Sequence, residues 1–307
     1  MRLSIVTTLY YSAPYIEEFY RRAKTTVQPI TPDYELIFVN DGSPDDSLEE
    51  IIKLHEQDKR VKIIDLSRNF GHHKALMTGL AHAKGDLVFL IDSDLEEEPE
   101  LLTLFYEELG KCRTDVVYGV QKKRRGGRFE QISGKIYYLM FNLLTGYNAA
   151  ANVLTARLMT RDYVRALVEH KEQEFDIMGL WSLTGFKQSA VAVSKNFKGT
   201  SAYNIRRKIS LFINTVTAFS SRPLLGMFLL GLIIFTLSGS LFVLMFFKHL
   251  FVGEVEGWKL AAASVWTLGG LIIVCLGIIG IYISKIYIET KRRPYTIIRK
   301  IYESDEI

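Results

Sequence analysis

The fold class follows from the stretch Leu87-Val88-Phe89-Leu90-Ile91-Asp92-Ser93-Asp94, in which an unbroken apolar run leads directly into two carboxylates. A short run of aliphatic and aromatic residues is typical of a strand that is buried on both faces. Similar runs recur along the chain, and together they predict strands over 3–9, 34–40, 61–66, 87–92 and 115–119. Patterns with helical spacing separate these runs and predict helices over 13–26, 47–57, 72–83 and 99–110.

This alternation of strands and helices predicts an α/β fold with a Rossmann-like, mostly parallel sheet that is covered by helices on both faces. In such sheets ligands bind at the carboxyl ends of the strands, so polar residues there are the candidates for chemistry. Neither GxGxxG nor GxxxxGKS/T follows the first strand. The sequence therefore argues against a dinucleotide oxidoreductase and against a P-loop NTPase.

The composition excludes several other classes. The chain has 307 residues, of which 48% are hydrophobic and 23% charged, and this balance excludes a disordered or collagen-like chain. A net charge of +4 is too small to indicate a nucleic-acid partner. Cys112 and Cys275 lie far apart, so the sequence predicts no disulfide framework and favours a reducing compartment.

Two long runs without a charged residue, 224–247 and 260–284, predict a hairpin of two transmembrane helices, because roughly 20 apolar residues cross a bilayer. Two buried core helices are the alternative. Basic residues flank the hairpin on its outer sides, whereas the loop between the runs is balanced in charge. This asymmetry predicts a multi-pass protein of the inner membrane with both termini cytoplasmic. The predicted organisation is a catalytic domain over 1–200, an amphipathic juxtamembrane helix over 201–223, the hairpin over 224–284 and a basic cytoplasmic tail over 285–307.

Carboxylates after the fourth predicted strand indicate a metal site. Along an extended strand end, residues two apart share a face, so Asp92, Asp94 and Glu96 are expected to converge. Carboxylate oxygens in such a group suit Mg²⁺ or Mn²⁺. Glu97 and Glu98 are interpreted instead as the acidic first turn of the next helix.

The second predicted strand ends in Asn40-Asp41-Gly42-Ser43. A carboxylate at this position can accept hydrogen bonds from a nucleobase or a ribose. The alternative is an ordinary turn, since Asp-Gly is a turn dipeptide.

An ordered set of motifs resembles the GT-A glycosyltransferases of family 2: Asn40-Asp41-Gly42-Ser43, then Ser67-Arg68-Asn69-Phe70-Gly71-His72, then Asp92-Ser93-Asp94-Leu95. Followed by two C-terminal spans, this order is similar more narrowly to the polyprenyl-phosphate glycosyltransferases. The resemblance implies a nucleotide-sugar donor, a divalent metal and a polyisoprenyl phosphate acceptor at the cytoplasmic leaflet. It also implies a homo-oligomer.

The resemblance assigns roles to individual residues. Asp41 would bind the nucleoside, and Asp92 and Asp94 would bind the diphosphate through the metal, with Glu96 as a third metal ligand. Arg68 and Lys74 fit donor binding, although a solvated loop and a helix surface are the alternative for them. His72 and His73 could be metal ligands, but two adjacent residues cannot both face one site, so they are interpreted as surface residues at a helix N-terminus.

Three departures from the family pattern affect the catalytic assignments. Thr155 stands where relatives carry an Asp, while Arg157 is kept. In other GT-A enzymes an acidic residue near the start of the following helix serves as base, and of Glu172, Glu174 and Asp176 in that region Asp176 is the first choice. The predicted catalytic set is Asp94, Asp176 and Arg157. Relatives also carry a Lys near the end of the soluble domain, and here flanking basic residues are predicted to contact the acceptor phosphate instead: Lys195, Lys198, Arg206 and Arg207. The first motif also lacks the usual Asn.

The leading hypothesis is a membrane-anchored, metal-dependent glycosyltransferase that moves a sugar to a polyisoprenyl phosphate. A glycosyltransferase with another lipid or a glycan as acceptor is the second hypothesis. A catalytically inactive membrane scaffold that binds nucleotide sugars is the third.

Overall fold

A computed structural model describes residues 1–121, 153–173, 175, 177–193 and 257–304, together with five separate positions between 229 and 251. The chain divides into two compact units. Of the described residues, those up to 193 and those from 293 onwards belong to the first unit, and the C-terminal helix belongs to the second.

The first half of the chain alternates strands and helices as predicted. The elements are β1 (Leu3–Leu9), α1 (Ile16–Val27), β2 (Tyr34–Asn40), α2 (Ser47–Gln57), β3 (Val61–Leu66), α3 (His72–Ala81), β4 (Leu87–Leu90) and α4 (Leu101–Cys112). A short 3₁₀ helix, Ala13–Tyr15, precedes α1. The first three strands have the predicted bounds, and every residue in them is buried.

The second half of the first unit adds elements that the sequence did not predict, apart from β5. These are β5 (Val116–Gln121), β6 (Val153–Thr160), α5 (Arg161–Val168), α6 (Ile177–Leu183), β7 (Gln188–Val193) and, near the C-terminus, β8 (Ile298–Tyr302). The segment 285–307 was predicted as a basic tail, but β8 pairs with β3 in the sheet.

One eight-stranded sheet runs through the first unit in the order β7-β5-β6-β4-β1-β2-β3-β8. The central strands β4, β1, β2 and β3 are parallel. Beyond β4, β6 runs antiparallel to both β4 and β5, while β7 at that edge runs parallel to β5; at the other edge β8 runs antiparallel to β3. The prediction of a mostly parallel sheet is therefore correct for the centre, and outside the centre the sheet is mixed.

Helices cover both faces of the sheet, as the buried strands predicted. On one face α1 packs between α2 and α4, and on the other α3 packs against β1, β2 and α5. Gly79 allows α3 to approach the sheet closely, because a Cβ there would lie 2.5 Å from Val6 Cγ1 and 2.9 Å from Val39 Cγ2. Acidic residues in the first turn of α1 and Lys24 in its last turn suit the helix dipole.

The second unit contains α7 (Gly257–Thr290), a helix of 34 residues. The second predicted span, 260–284, lies within this helix, whereas most of 201–256 lies outside the described residues. In the part of the chain that is described, no helix is long and apolar enough to cross a membrane. The transmembrane hairpin stays a prediction.

Candidate active site

The candidate site is formed by the segments that follow β1, β2, β3 and β4 at the carboxyl edge of the parallel strands. Because these strands are parallel and adjacent, their C-terminal ends meet at one edge of the sheet. The segments carry the residues that sequence analysis singled out, Asp41, Arg68, Asp92 and Asp94, and contacts among them define the geometry of the site.

Asp41 fixes the loop between β3 and α3. Its Oδ1 accepts the backbone N–H of Phe70 at 2.7 Å and its Oδ2 accepts that of Gly71 at 3.0 Å. The residue is only 2% exposed. Burial raises the pKa of Asp41, and the hydrogen bonds from the two amides offset part of that rise. In this structure Asp41 therefore binds the loop that carries Arg68.

Gly42 permits the close approach of that loop. Its φ of +59° lies in the left-handed region, and a Cβ at this position would lie 2.4 Å from the carbonyl carbon of Arg68 and 2.5 Å from the amide nitrogen of Asn69. Backbone atoms cannot move away as a flexible side chain can. Only glycine therefore fits here without displacing the loop.

A hydroxyl–carboxylate network joins the segments after β1 and β2. Asp45 accepts hydrogen bonds from the hydroxyls of Ser43 and Ser47 at 2.5 and 2.6 Å and from the backbone N–H of Ala13 at 3.1 Å. Burial alone would raise the pKa of Asp45, but these hydrogen bonds outweigh it and hold that pKa below its usual value. The hydroxyl of Ser43 also accepts the N–H of Tyr11 at 2.8 Å, so the network positions an exposed aromatic residue at the site.

Asp92 lies next to a histidine. Nε2 of His72 is 3.4 Å from Asp92 Oδ1, and Nδ1 of His72 is 3.1 Å from the hydroxyl of Thr8. The separation of His72 and Asp92 is within the range of an ion pair, but the two side chains are not hydrogen-bonded to each other. Within the described part of the chain, Asp92 Oδ1 is buried without a hydrogen-bond partner. Such an oxygen is costly to bury and is a candidate to receive a cation.

The chain turns within the segment that carries the three predicted metal ligands. The strand ends at Leu90, and Leu95 has a φ of +59°, so the chain turns directly after Asp94. Asp94 Oδ1 accepts the backbone N–H of Glu96 at 2.9 Å within this turn. Among the described residues no group of three or more His, Cys, Asp or Glu side chains is arranged to hold a metal ion. The set of three ligands therefore stays a prediction.

The side chain of Glu97 is hydrogen-bonded to the sheet and does not cap a helix. The helix α4 begins only at Leu101, whereas Glu97 is 1% exposed and accepts the backbone N–H groups of Thr155 and Ala156 at 3.3 and 2.7 Å. The interpretation of Glu97 as an acidic first turn is wrong. Its carboxylate fastens the segment after β4 to the start of β6.

Arg157, a predicted catalytic residue, is buried in the middle of β6. It is 1% exposed, its guanidinium stacks on the ring of Trp181, and it donates to the carbonyl oxygens of Leu154 and Thr155 at 3.3 Å. Burial lowers the pKa of Arg157 to about 9, although the charge of Glu97 opposes that shift. The side chain thus stays cationic near neutral pH without direct access to solvent.

Arg68 and Lys74 take different positions. Arg68 is exposed, with its guanidinium 4.1 Å from the centroid of the Phe70 ring. It lies on the wall of a cavity of about 360 Å³ at the ends of β2 and β3, which is lined by Asn40, Gly42, Ser43, Pro44, Asp45, Asp46, Leu48, Glu49, Ser67, Arg68 and Arg299. Lys74 is partly exposed in the first turn of α3, where its backbone N–H donates a hydrogen bond to the carbonyl oxygen of Gly71.

The other predicted site residues lie outside the described residues: Asp176, Lys195, Lys198, Arg206 and Arg207. Conversely, the structure brings three residues to the site that sequence analysis had not assigned to it, namely His72, Glu97 and Arg299. The signal for His72 was its place at the start of a helix that faces the strand ends. Arg299 carried no local signal, because it lies far along the chain.

Comparisons with known proteins all match glycosyltransferases. The family model for glycosyl transferase family 2 matches residues 4–168. A Mycobacterium tuberculosis protein named as a glycosyltransferase is 53% identical over 306 residues, covering 99% of this chain and 90% of its own length. The Bacillus subtilis glycosyltransferase YkcC is 34% identical over 310 residues, covering 98% and 94%. The prophage-derived bactoprenol glucosyl transferase of Shigella flexneri is 29% identical over 309 residues, covering 99% and 100%.

Proposed function

The chain belongs to glycosyl transferase family 2, and from this premise we propose that it transfers a sugar from a nucleotide diphosphate sugar to a polyisoprenyl phosphate. The reaction would occur at the cytoplasmic leaflet of the inner membrane and serve the assembly or modification of cell-envelope glycans. The catalytic domain and both termini would be cytoplasmic.

One observation carries the proposal for the acceptor. The Shigella bactoprenol glucosyl transferase corresponds to this chain over 99% of its length and over 100% of the relative's own length. The correspondence therefore includes the C-terminal third, with both uncharged runs, 224–247 and 260–284. A catalytic domain that is held at a bilayer by such a hairpin suits an acceptor that is itself a membrane lipid.

The donor would bind at the loop between β3 and α3. Asp41 and Gly42 hold this loop against the end of β2, so Arg68 stands at the cavity wall in a fixed position. A guanidinium there suits a phosphate group of the donor, and Lys74 is a further cationic candidate. The exposed ring of Tyr11 offers an apolar surface for the nucleobase.

A divalent cation fits the site through Asp92. Its buried Oδ1 has no hydrogen-bond partner among the described residues and could accept a cation, and Asp94 and Glu96 follow in the adjoining turn. Bound Mg²⁺ or Mn²⁺ would neutralise negative charge on the diphosphate of the donor. Asp92 and Asp94 would hold the ion, with Glu96 as a further candidate.

The remaining tasks fall to this chain's own residues. The acceptor phosphate is already ionised near neutral pH, so it needs positioning more than deprotonation. Its oxygen would attack the anomeric carbon as the bond from that carbon to the diphosphate breaks, most simply with inversion, and the nucleoside diphosphate leaves. Asp176 is the proposed base, and a basic set is proposed to hold the acceptor: Lys195, Lys198, Arg206 and Arg207.

Arg157 is buried, so its proposed role in catalysis is indirect. Because its guanidinium is buried against Trp181 and close to Glu97, we propose that it positions the segment after β4 and so contributes to catalysis indirectly. A homo-oligomer is part of the same proposal.

The test is transfer from radiolabelled nucleotide sugars by the purified full-length protein, with and without undecaprenyl phosphate. We expect a labelled lipid only when both the polyprenyl phosphate and Mg²⁺ or Mn²⁺ are present. Transfer to diacylglycerol or to a glycan in place of the polyprenyl phosphate would contradict the acceptor. An undiminished rate in excess chelator would contradict the metal.

Asp92→Asn and Asp86→Asn form a matched pair for the same assay, since these carboxylates lie just beyond opposite ends of β4. Asp86 accepts the backbone N–H of Arg2 at the amino edge of the sheet, far from the candidate site in the topology. We expect Asp92→Asn to lower kcat/KM by about 10²–10³-fold, as the loss of one charge-stabilising group typically does. The Asp86 variant should stay within about twofold, because surface changes away from special features have small effects.

A further inference from the structure

The C-terminal strand β8 reaches the candidate site from the far end of the sequence. It pairs antiparallel with β3, and Asp65 is aligned with Lys300 in the register. Directly beyond β3, the backbone N–H of Ser67 donates to the carbonyl oxygen of Ile297 at 2.9 Å. The strand therefore borders the start of the loop that carries Arg68.

Arg299 makes two contacts at this border. Its Nη2 donates to the carbonyl oxygen of Ser67 at 2.7 Å, and its Nη1 lies 3.5 Å from Asp65 Oδ2. The Asp65 side chain is 3% exposed, and its Oδ1 accepts a hydrogen bond from the side-chain amide of Asn40 at 2.8 Å. The Arg299 side chain is 59% exposed and also lines the cavity beside Arg68. The planar fork of a guanidinium can reach two acceptors at once, which an ammonium group does less well.

The loop between β3 and α3 is thus held at both ends. Asp41 binds its distal end through the amides of Phe70 and Gly71, and Arg299 binds its first residue, Ser67. Arg68 lies between these two attachments. Releasing either one frees the backbone that positions the Arg68 guanidinium.

We propose that Arg299 is a positioning residue for donor binding: it holds the β3–α3 loop in the conformation that presents Arg68 to the donor. The inference rests on the donor site of the proposed function. It also implies that donor affinity depends on the segment after α7, since residues 291–297 alone join that helix to β8.

The experiment uses the full-length protein in detergent and compares Arg299→Met with Lys300→Met. Lys300 is adjacent on the same strand and carries the same charge, but its ammonium lies over the Tyr302 ring, 4.3 Å from its centroid. Hydrogen exchange is measured at the amides of Phe70 and Gly71, and UDP and GDP are the probes for nucleotide affinity. The nucleotide that binds the wild type more tightly is then used to measure the affinity of every variant.

We expect Arg299→Met to raise the dissociation constant of that nucleotide about tenfold and to speed exchange at both amides by a similar factor, which corresponds to about 1.4 kcal/mol. The midpoint of urea unfolding should change little. Arg299→Lys keeps the charge beside Asp65 and should recover roughly a third of the lost affinity on a logarithmic scale. Lys300→Met should match the wild type in every measurement.

Equal affinities in the Met variants at positions 299 and 300 would overturn the proposal. So would a loss of affinity accompanied by an equal loss of unfolding stability that Arg299→Lys does not recover, because that result indicates a merely structural role. The exchange measurement needs neither nucleotide nor lipid, so it tests Arg299 even if the chain transfers no sugar to a polyprenyl phosphate.

Discussion

Replacing Asp41 by Asn tests whether this buried carboxylate acts by fixing the loop between β3 and α3. Its two oxygens each accept one backbone N–H, from Phe70 at 2.7 Å and from Gly71 at 3.0 Å. An asparagine amide keeps one acceptor oxygen but turns an NH₂ group towards the other amide. One charge-assisted hydrogen bond is therefore lost and two donors are brought together.

The expected cost follows from the usual strength of such bonds. A hydrogen bond to a charged group contributes about 1.5–3 kcal/mol, and leaving a buried N–H without a partner adds to the loss. Against this, Asn removes the desolvation of a carboxylate whose pKa burial raises. A net destabilisation of about 2 kcal/mol remains, which lowers Tm by about 4–8 °C in a unit of this size.

The dependence on pH gives a second signature. Because the folded pKa of Asp41 is raised, the folded protein binds a proton before the unfolded chain does as the pH falls. The contribution of Asp41 to stability therefore increases as the pH falls through the folded pKa, and it levels off below the unfolded value. The wild type should gain stability relative to Asp41→Asn on acidification.

Thermal unfolding of the full-length protein in detergent, from pH 7 down to about pH 4, measures both effects. The control is Asp33→Asn, which removes the same charge from an exposed residue between α1 and β2 that does not line the cavity. If Asp41→Asn matches this control both in stability and in hydrogen exchange at the amides of Phe70 and Gly71 but loses nucleotide affinity, Asp41 contacts the nucleoside directly and the loop interpretation is refuted.

Three further changes test other contacts. Gly42→Ala should destabilise the fold by about 2–4 kcal/mol in urea unfolding, because its Cβ meets the backbone of Arg68, and an unchanged midpoint would contradict the close approach. Glu97→Gln should cost about 2 kcal/mol, since one amide of β6 loses its acceptor, and full stability would mean that β6 is held otherwise. Burial alone would raise the pKa of Asp58, but hydrogen bonds from Lys24, Tyr20 and Arg60 hold that pKa well below its usual range. Asp58 therefore stabilises the fold above its unfolded pKa, and this contribution is lost as the pH falls through the folded pKa. Asp58→Asn should therefore be about 1–2 kcal/mol less stable than the wild type at pH 7, and this difference should narrow steadily as the pH falls below about 4; a difference that does not depend on pH would refute the ion pair.

The central sheet could be predicted from the sequence because its signal is local. The strands β1, β2 and β3 are buried on both faces, so they appear as continuous apolar runs with clear polar ends. The strands at the sheet edges are different. In β8 the charged residues Arg299 and Lys300 interrupt the apolar pattern, and its partner β3 lies more than two hundred residues earlier. Nothing local distinguishes such a strand from a solvated tail.

The site was predicted in composition but not in geometry. Asp92 and Asp94 were identified correctly as polar residues at a strand end, but their arrangement depends on where β4 stops and on the left-handed turn at Leu95. An aliphatic residue gives no sequence signal for a positive φ. Glu97 was misinterpreted for a related reason, because an acidic residue before a helix usually serves the helix dipole, whereas here β6 supplies two amides from across the sheet.

His72 illustrates what only tertiary structure can reveal. At the start of a helix it has the pattern of a surface residue, yet the packing of α3 on β1 brings it to Asp92 and Thr8. The two contacts come from strands that lie side by side in the sheet but far apart in sequence. Knowledge of the strand order would have been needed to predict them.

The most direct test of polyprenyl-phosphate glycosyl transfer is the product balance of a reaction with purified full-length protein, undecaprenyl phosphate, a nucleotide sugar and Mg²⁺ or Mn²⁺. We expect one sugar-linked polyprenyl monophosphate, identified by mass spectrometry, for each nucleoside diphosphate released, and formation of both products slowed about 10²–10³-fold in Asp92→Asn. If every nucleotide sugar tested gave nucleoside diphosphate and free sugar but no glycolipid, the result would contradict transfer to the polyprenyl phosphate.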